Sequence, residues 1–292
     1  MCCHPTGGRL CWRQDSGARD LLVVNRRVRG RATPPWSLAI PAMFAVCFLV
    51  LPMVALLIRA PWSALPRLIG EPGVRDALRL SVVTAVLATA VATILGIPLA
   101  WVLARVEFRG RSLARALVTL PLVLPPVVGG VALLLALGRR GLVGRLLYEW
   151  TGLSLPFSTA GVVVAETFVA MPFLVVTVEG ALRGFDLRYE EAATMLGAGR
   201  LTVLRRVTLP MLAPSLTAGA VLCFARALGE FGATITFAGN SPGRTQTMPL
   251  AVYLALEDDP DAAIALSLVL LVVSVAVLLL LRDRWLRTDL AV

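Results

Sequence analysis

The sequence contains no lysine, because all 28 of its basic residues are arginine. A GxxxxGK[ST] phosphate loop and a Schiff-base lysine are therefore excluded, since both need a lysine amine. The single histidine, His4, lies near the N-terminus, and the five cysteines form no CxxC pair. Zinc and haem sites thus have almost no candidate ligands. We predict no catalytic residue, no metal site and no cofactor bound by this chain.

Charge of any kind is scarce in this sequence. Charged residues make up 16% of the chain and hydrophobic residues 58%, with a mean hydropathy of +0.81. This composition indicates an integral membrane protein, with the lipid bilayer as its first partner. The net charge is +10, but the arginines are scattered between apolar stretches and form no single stripe. We therefore predict no nucleic-acid partner.

Six apolar segments are long enough to cross a bilayer, whose core of about 30 Å requires about 20 helical residues. The predicted fold is an all-α membrane protein with six transmembrane helices. The third segment combines prolines with glycines, so we expect it to be kinked or broken. The segments are residues 38–58, 80–103, 117–137, 160–182, 212–236 and 262–281.

Residues 1–35 differ from the rest of the chain. They are rich in arginine, contain glycine, and lack the apolar core and small-residue cleavage site of a signal peptide. We predict a flexible N-terminal tail followed by a membrane domain at residues 36–292. Because arginine is denser on the side of the tail, the positive-inside rule places both termini and residues 186–210 in the cytoplasm.

Residues 186–210 form a charged, glycine-broken segment between two apolar spans. Asp186 is predicted to cap a first helix that Gly197 ends, and a second helix at 200–207 is predicted to stop before Pro210. The first helix carries an apolar stripe on an i, i+3, i+4, i+7 spacing, formed by Tyr189, Ala192, Ala193 and Leu196. Such a stripe indicates either a protein partner or a connector that lies on lipid headgroups.

The spacing within this segment favours a protein partner. Glu191, Ala192, Ala193, Gly197, Val207, Leu209 and Pro210 resemble the EAA-x3-G-x9-I-x-LP signature of the permease subunits of ABC importers, with Val207 in the isoleucine position. The resemblance implies a type I ABC importer permease fold. It also implies that residues 186–210 are the coupling loop that docks on a cytoplasmic ATPase subunit. ATP and Mg would then be bound by that partner and not by this chain.

A second resemblance concerns residues 224–253. The motifs GEFGAT, AGN-x-PG-x-TQT and PLA-x-Y resemble the permeases of molybdate importers, which are relatives of sulfate permeases. The resemblance to the wider family extends over residues 75–282. It implies a homodimer in the cell membrane that imports molybdate, together with two ABC ATPase subunits and an extracytoplasmic molybdate-binding protein.

Ionisable residues inside predicted spans are rare and usually face protein or water. Arg226 and Glu230 are four residues apart in the fifth span, where Arg226 could attract an oxyanion or could simply neutralise Glu230. Glu166 in the fourth span is predicted to make a packing contact or an interhelical hydrogen bond. Donors for a passing oxyanion are predicted near the outer end of the fifth span, at Thr234, Thr236, Thr245, Gln246 and Thr247.

Three rival functions remain at the level of sequence. A sulfate or thiosulfate permease shares the same chemistry. A stand-alone secondary transporter would show internal repeats with paired broken helices, whereas only the third span here is clearly broken. A membrane enzyme would need reactive side chains, which this composition does not supply.

Overall fold

The computed structural model describes residues 36–288, and the predicted tail at 1–35 lies outside this range. Every regular element in the described range is a helix. The helices are α1 Trp36–Arg59, α2 Leu65–Gly70, α3 Pro72–Arg105, α4 Arg111–Val123, α5 Pro126–Leu137, α6 Gly144–Thr151, α7 Thr159–Gly184, α8 Arg188–Met195, α9 Arg200–Val203, α10 Leu209–Met211, α11 Ala213–Leu228, α12 Gly232–Phe237, α13 Met248–Asp258 and α14 Pro260–Thr288, with a π-helical turn at Leu204–Thr208.

The predicted number of six spans is reached when each of two bent helix pairs is counted as one span. Four stretches are long and apolar enough to span a bilayer: Ser37–Arg59, Pro72–Arg105, Thr159–Gly184 and Pro260–Val277. Two bent helix pairs bring the count to six if each is one span: Arg111–Val123 with Pro126–Leu137, and Arg200–Met211 with Ala213–Leu228. Helix α1 continues through both of its internal prolines, Pro41 and Pro52.

Helices α3, α7 and α11 form the main core. Small residues on α3, including Ala85, Ala88 and Ala92, are fully buried against α7 and α11. In lipid, hydrophobicity gives no preference for a protein neighbour, so helices associate through close contact between small side chains. The fit is tight at Gly96, where an added Cβ would lie 2.9 Å from Leu174 Cδ2.

The break in the third span is sharp. Helices α4 and α5 meet at an angle of 120° around Leu124 and Pro125, both of which have extended backbone conformations. Each of two successive prolines removes a backbone donor and disfavours helix in the residue before it. Helix α5 therefore turns back and packs beside α12 and α7 in a second apolar cluster, which contains Leu133, Val169 and Phe237.

The predicted extent of the fifth span, 212–236, is wrong at its outer end. Helix α11 ends at Leu228, and a separate short helix α12 begins at Gly232. The interruption is stabilised from within, because Glu230 Oε1 accepts a hydrogen bond from Ala233 N at 2.8 Å and so serves an orphan donor at the start of α12. Helix α13 follows and was not predicted.

The second helix of the 186–210 segment also differs from its predicted end before Pro210. The chain stays helical through Pro210, because the π-helical turn Leu204–Thr208 precedes it. A proline inside a regular α-helix clashes with the carbonyl four residues earlier, and a widened turn relieves that clash. This helical stretch then meets α11 at an angle of 71°.

Candidate functional site

The predicted coupling segment, residues 186–210 and called the coupling segment below, begins with a short helix that has well-defined ends. Asp186 Oδ1 accepts a hydrogen bond from Arg188 N at 3.0 Å, although the residue at the helix N-cap is Leu187. Gly197 has a left-handed φ of 85° and is followed by hydrogen bonds from Gly197 N to Thr194 O and from Ala198 N to Ala193 O. This pattern is a Schellman C-cap, so the predicted stop at Gly197 is confirmed.

The predicted apolar stripe on α8 lies open to its surroundings. Tyr189 is 53% exposed and Leu196 is 89% exposed, while Ala192 is exposed and Ala193 is half-buried. Met195 beside them is 88% exposed, so the end of α8 projects large apolar side chains. Unpaired apolar groups on this scale are typical of a surface that a partner covers. Of the remaining predicted residues, Glu191 and Pro210 are exposed, and Val207 and Leu209 are half-buried.

One residue that the sequence did not single out, Glu190, fixes α8 to the core. Its Oε1 accepts hydrogen bonds from Arg105 Nη2 at 3.1 Å and from Thr208 Oγ1 at 2.9 Å. Arg105 ends α3, and Thr208 lies in the π-helical turn that precedes α11. One carboxylate therefore connects α8 to the end of α3 and to the π-helical turn, which α10 separates from α11. Glu190 and Glu191 both lie in the first turn of α8, where an acid suits the positive end of the helix dipole, and that position in the sequence gives no indication of Arg105 or Thr208 as partners.

Arginines at the same end of the core perform a similar task. Arg111 Nε donates to Leu103 O at 2.8 Å, and its Nη2 donates to Ala104 O at 3.0 Å, so both carbonyls at the end of α3 have a partner. Arg115 and Arg183 both bind the buried Glu179 on α7, each with an N–O distance of 2.7 Å. The end of the bundle that carries the coupling segment is thereby held together by charge-assisted hydrogen bonds.

Replacing Gly197 by valine is expected to leave the protein in the membrane but to reduce uptake. A Cβ there meets no atom within 4 Å, so the cost comes from the left-handed φ alone and amounts to about 1–2 kcal/mol for a branched side chain. A cost of this size lowers the population of the native cap about 5–30-fold. Gly197→Asn is the matched control, because asparagine tolerates this conformation. Equal uptake by the two variants would contradict the role of the cap.

Arg226 and Glu230, the predicted intramembrane pair, form a salt bridge with each other. Arg226 Nη2 lies 2.6 Å from Glu230 Oε2, and the side chains are 26% and 1% exposed. The other carboxylate oxygen of Glu230 caps α12 through Ala233 N. Glu230 therefore has a structural use for both of its oxygens, which supports the neutralisation alternative. A role for Arg226 in attracting an oxyanion stays a prediction.

Four of the five predicted donors fall into two groups. Thr236 Oγ1 donates to Gly232 O at 2.8 Å, and Thr245 Oγ1 accepts from Ser241 N at 2.8 Å, so both hydroxyls serve the local backbone. Thr234 and Thr247 are buried, and within residues 36–288 their hydroxyls have no hydrogen-bond partner. Gln246 is half-buried. Thr234 and Thr247 are 0% and 1% exposed, so their unpaired hydroxyls are closed off from the surroundings, and a contact with a solute stays a prediction.

Glu166 makes the interhelical hydrogen bond that the sequence predicted. Its Oε1 lies 2.9 Å from Thr84 Oγ1, which joins α7 to α3 inside the core. One turn earlier on α3, Ser81 Oγ accepts from Met248 N at 2.7 Å and fixes the start of α13. Buried polar contacts thus connect three helices where apolar packing alone would leave their register loose.

Comparisons with known proteins bear on this arrangement. Residues 92–288 match the family described as "Binding-protein-dependent transport system inner membrane component". The chain therefore belongs to this family. The matched region includes the coupling segment, the Arg226–Glu230 pair and Thr234, Thr245 and Thr247. It confirms the predicted permease family.

Individual relatives of this inner membrane component agree with the family. This chain is 52% identical over 231 residues to the molybdenum transport system permease protein ModB of Mycobacterium tuberculosis. The aligned region covers 79% of this chain and 87% of that protein. The chain is 36% identical over 241 residues to the sulfate transport system permease protein CysT of Salmonella typhimurium, covering 82% and 86%. Its fold is similar to a bacterial ABC transporter involved in the import of alginate, with a TM-score of 0.70, 18% identity, and coverage of 92% of this chain and 96% of that one.

Replacing Arg226 by glutamine is expected to destabilise this inner membrane component. Glu230 would be left buried with only Ala233 N as a partner, and removing one member of a buried ion pair costs about 3 kcal/mol. The double variant Arg226→Gln, Glu230→Gln removes both members of that pair and keeps the acceptor for Ala233 N. We expect the double variant to regain most of the melting temperature, measured on the purified complex, and most of the uptake, measured after reconstitution of the complex in vesicles. A stable double variant without uptake would instead assign Arg226 to the solute.

Proposed function

We propose that this chain is the membrane-spanning subunit of an ATP-driven importer that moves molybdate across the cytoplasmic membrane. The observation that carries the proposal is the segment 186–210: an exposed apolar helix end, capped by Gly197 and bound through Glu190 to the end of α3 and to the π-helical turn. A force applied to α8 would reach the end of α3 through Arg105 and the π-helical turn through Thr208, because Glu190 bonds to both; from that turn it would reach α11 by way of α10.

The motive force in this proposal comes from a partner. Two cytoplasmic ABC ATPase subunits bind ATP and Mg, and each receives one coupling segment, in which Tyr189, Ala192, Ala193 and Leu196 enter a cleft of the ATPase. This arrangement requires two copies of the chain related by a twofold axis, with the anion path along that axis. Both termini and the coupling segment then lie on the cytoplasmic side, and the chain itself performs no catalysis.

Molybdate is proposed as the solute because of the similarity to ModB at 52% identity. An extracytoplasmic binding protein would deliver the oxyanion to the outer face. Thr234 and Thr247 are buried here, so in this proposal their hydroxyls reach the anion only when the helices around them have opened; weak, replaceable hydrogen bonds then suit an anion that must enter and leave. Sulfate is the second candidate, favoured by the similarity to CysT at 36% identity.

The proposal is tested by reconstituting the chain with its ATPase subunit and binding protein in vesicles. We expect uptake of labelled molybdate that requires ATP on the side of the membrane where the ATPase subunits lie. Uptake should stop when the binding protein is left out. A tenfold excess of sulfate should leave molybdate uptake nearly unchanged. Uptake by the chain alone would exclude the importer mechanism, and strong inhibition by sulfate would move the assignment to a sulfate permease.

A further inference from the structure

An apolar cavity of about 330 Å³ opens at the end of the bundle that carries the coupling segment. Its walls come from the last turns of α3 and α7, the π-helical turn and the first turns of α11, and they include Ile97, Val102, Val178 and Leu216. The cavity surface is entirely apolar. Its volume lies within the range of about 300–1,000 Å³ that is typical of ligand pockets.

A second cleft of about 670 Å³, whose wall includes charged side chains, continues from this cavity. The two share Trp101, Leu204 and Thr208 as wall residues, so one opens beside the other. The cleft is also lined by Arg105 and Arg200. The only acid in its wall, Glu190, is already engaged by Arg105, whereas Arg200 makes no salt bridge within the described part of the chain. The cleft therefore has an uncompensated positive charge.

We propose that the cavity and the cleft together bind one anionic phospholipid. An acyl chain would lie in the apolar cavity, and the phosphate would pair with Arg200, because a guanidinium can donate two hydrogen bonds to one phosphate. Trp101 stands at the junction and is 39% exposed, as expected for a tryptophan at the boundary between hydrocarbon and headgroups. An uncharged solute would use the cavity alone, and a small free anion would use the cleft alone. Only an amphiphile with an anionic head matches both.

This site would place a lipid between the coupling segment and the core helices that it contacts. Leu204 and Thr208 belong to the π-helical turn, and Thr208 also bonds to Glu190. The proposal concerns lipid binding and does not depend on which solute is carried. Its test therefore uses lipid contact as the readout, independent of transport.

The test uses the photoreactive residue p-benzoylphenylalanine at Val102, in the complete complex with its ATPase subunits. Vesicles contain phosphatidylcholine and phosphatidylglycerol in a 3:1 molar ratio. We expect adducts at Val102 in which phosphatidylglycerol is enriched about fivefold over the bulk ratio, the effect of one arginine at a membrane surface. Ile94, on the same helix but outside the cavity and 70% exposed, is the matched position and should label both lipids in the bulk ratio.

Variants identify the headgroup contact. Arg200→Gln should return the Val102 adducts to the bulk ratio, whereas Arg188→Gln, which changes an exposed arginine outside the cleft, should not. Native mass spectrometry of the unsubstituted complex gives an independent measurement and should show phosphatidylglycerol retained in preference to phosphatidylcholine. Adducts in the bulk ratio at Val102, or adducts with polypeptide alone, would overturn the proposal.

Discussion

Replacing Ala193 by aspartate is expected to lower uptake about 100-fold while the protein stays in the membrane. Ala193 lies on the apolar stripe of α8 and is half-buried even without a partner, so a docked ATPase would enclose it. An unpaired carboxylate buried in such a contact costs several kcal/mol, and about 3 kcal/mol corresponds to a loss of about 100-fold in affinity. ATP hydrolysis would then continue without transport or stop because the ATPase is lost.

The measurement is ATP-dependent uptake normalised to the amount of chain in the membrane, together with co-purification of the ATPase subunit. Ala193→Ser is the matched control, because it keeps the small size of the residue and adds no charge. We expect that variant to transport within about twofold of the original protein. Uptake by Ala193→Asp at the level of the serine variant would show that no partner encloses this face of α8.

Replacing Gly130 by alanine is expected to disrupt the packing between α5 and α12. A Cβ at Gly130 would lie 1.6 Å from Thr236 Oγ1 and 2.9 Å from the backbone oxygen of Ala233. Rotation of Thr236 would relieve the first clash but not the second, and it would break the hydrogen bond from Thr236 to Gly232. Helix α12 must therefore move. Overpacking of this kind costs about 1–3 kcal/mol.

Thermal unfolding of the purified complex measures this effect. A loss of 2–3 kcal/mol corresponds to a melting temperature lower by about 5–10 °C for a chain of this size. Gly180→Ala provides the same substitution inside α7 at a position where the new Cβ meets no atom within 4 Å, so we expect no decrease. We also expect Gly130→Ala to reduce uptake, because α12 carries Thr234. An unchanged melting temperature would show that α12 tolerates displacement at no cost.

The long helices were predictable from the sequence. Apolar runs at 38–58, 80–103 and 160–182 correspond to α1, α3 and α7 within a few residues at most ends, although α3 begins earlier, at Pro72. In a bilayer the backbone must satisfy its own hydrogen bonds, so an apolar run of this length has little choice but helix. The break between α4 and α5 was also predictable, because two adjacent prolines remove donors wherever they lie.

The break after α11 was not predictable in the same way. Nothing in an apolar count separates residues 212–228 from the six that follow Phe231, and Glu230 reads as an ion-pair partner of Arg226 on a continuous helix. In the structure its carboxylate binds Arg226 and also Ala233 N, which requires the chain to leave the helix between them. Side-chain capping that competes with a helix is decided by local geometry, and the pattern of apolar residues carries no record of it.

The sequence by itself determined that this protein is a helical membrane protein of the permease family, because composition and short-range spacing encode helices, caps and family signatures. That residues 186–210 couple the chain to an ATPase stays a prediction. Tertiary structure alone decided what holds that segment in place. Glu190 meets Arg105, 85 positions earlier, and Thr208, 18 positions later. Contacts between such distant positions arise only when α3, α7 and α11 have packed, since no local periodicity relates the residues that they bring together.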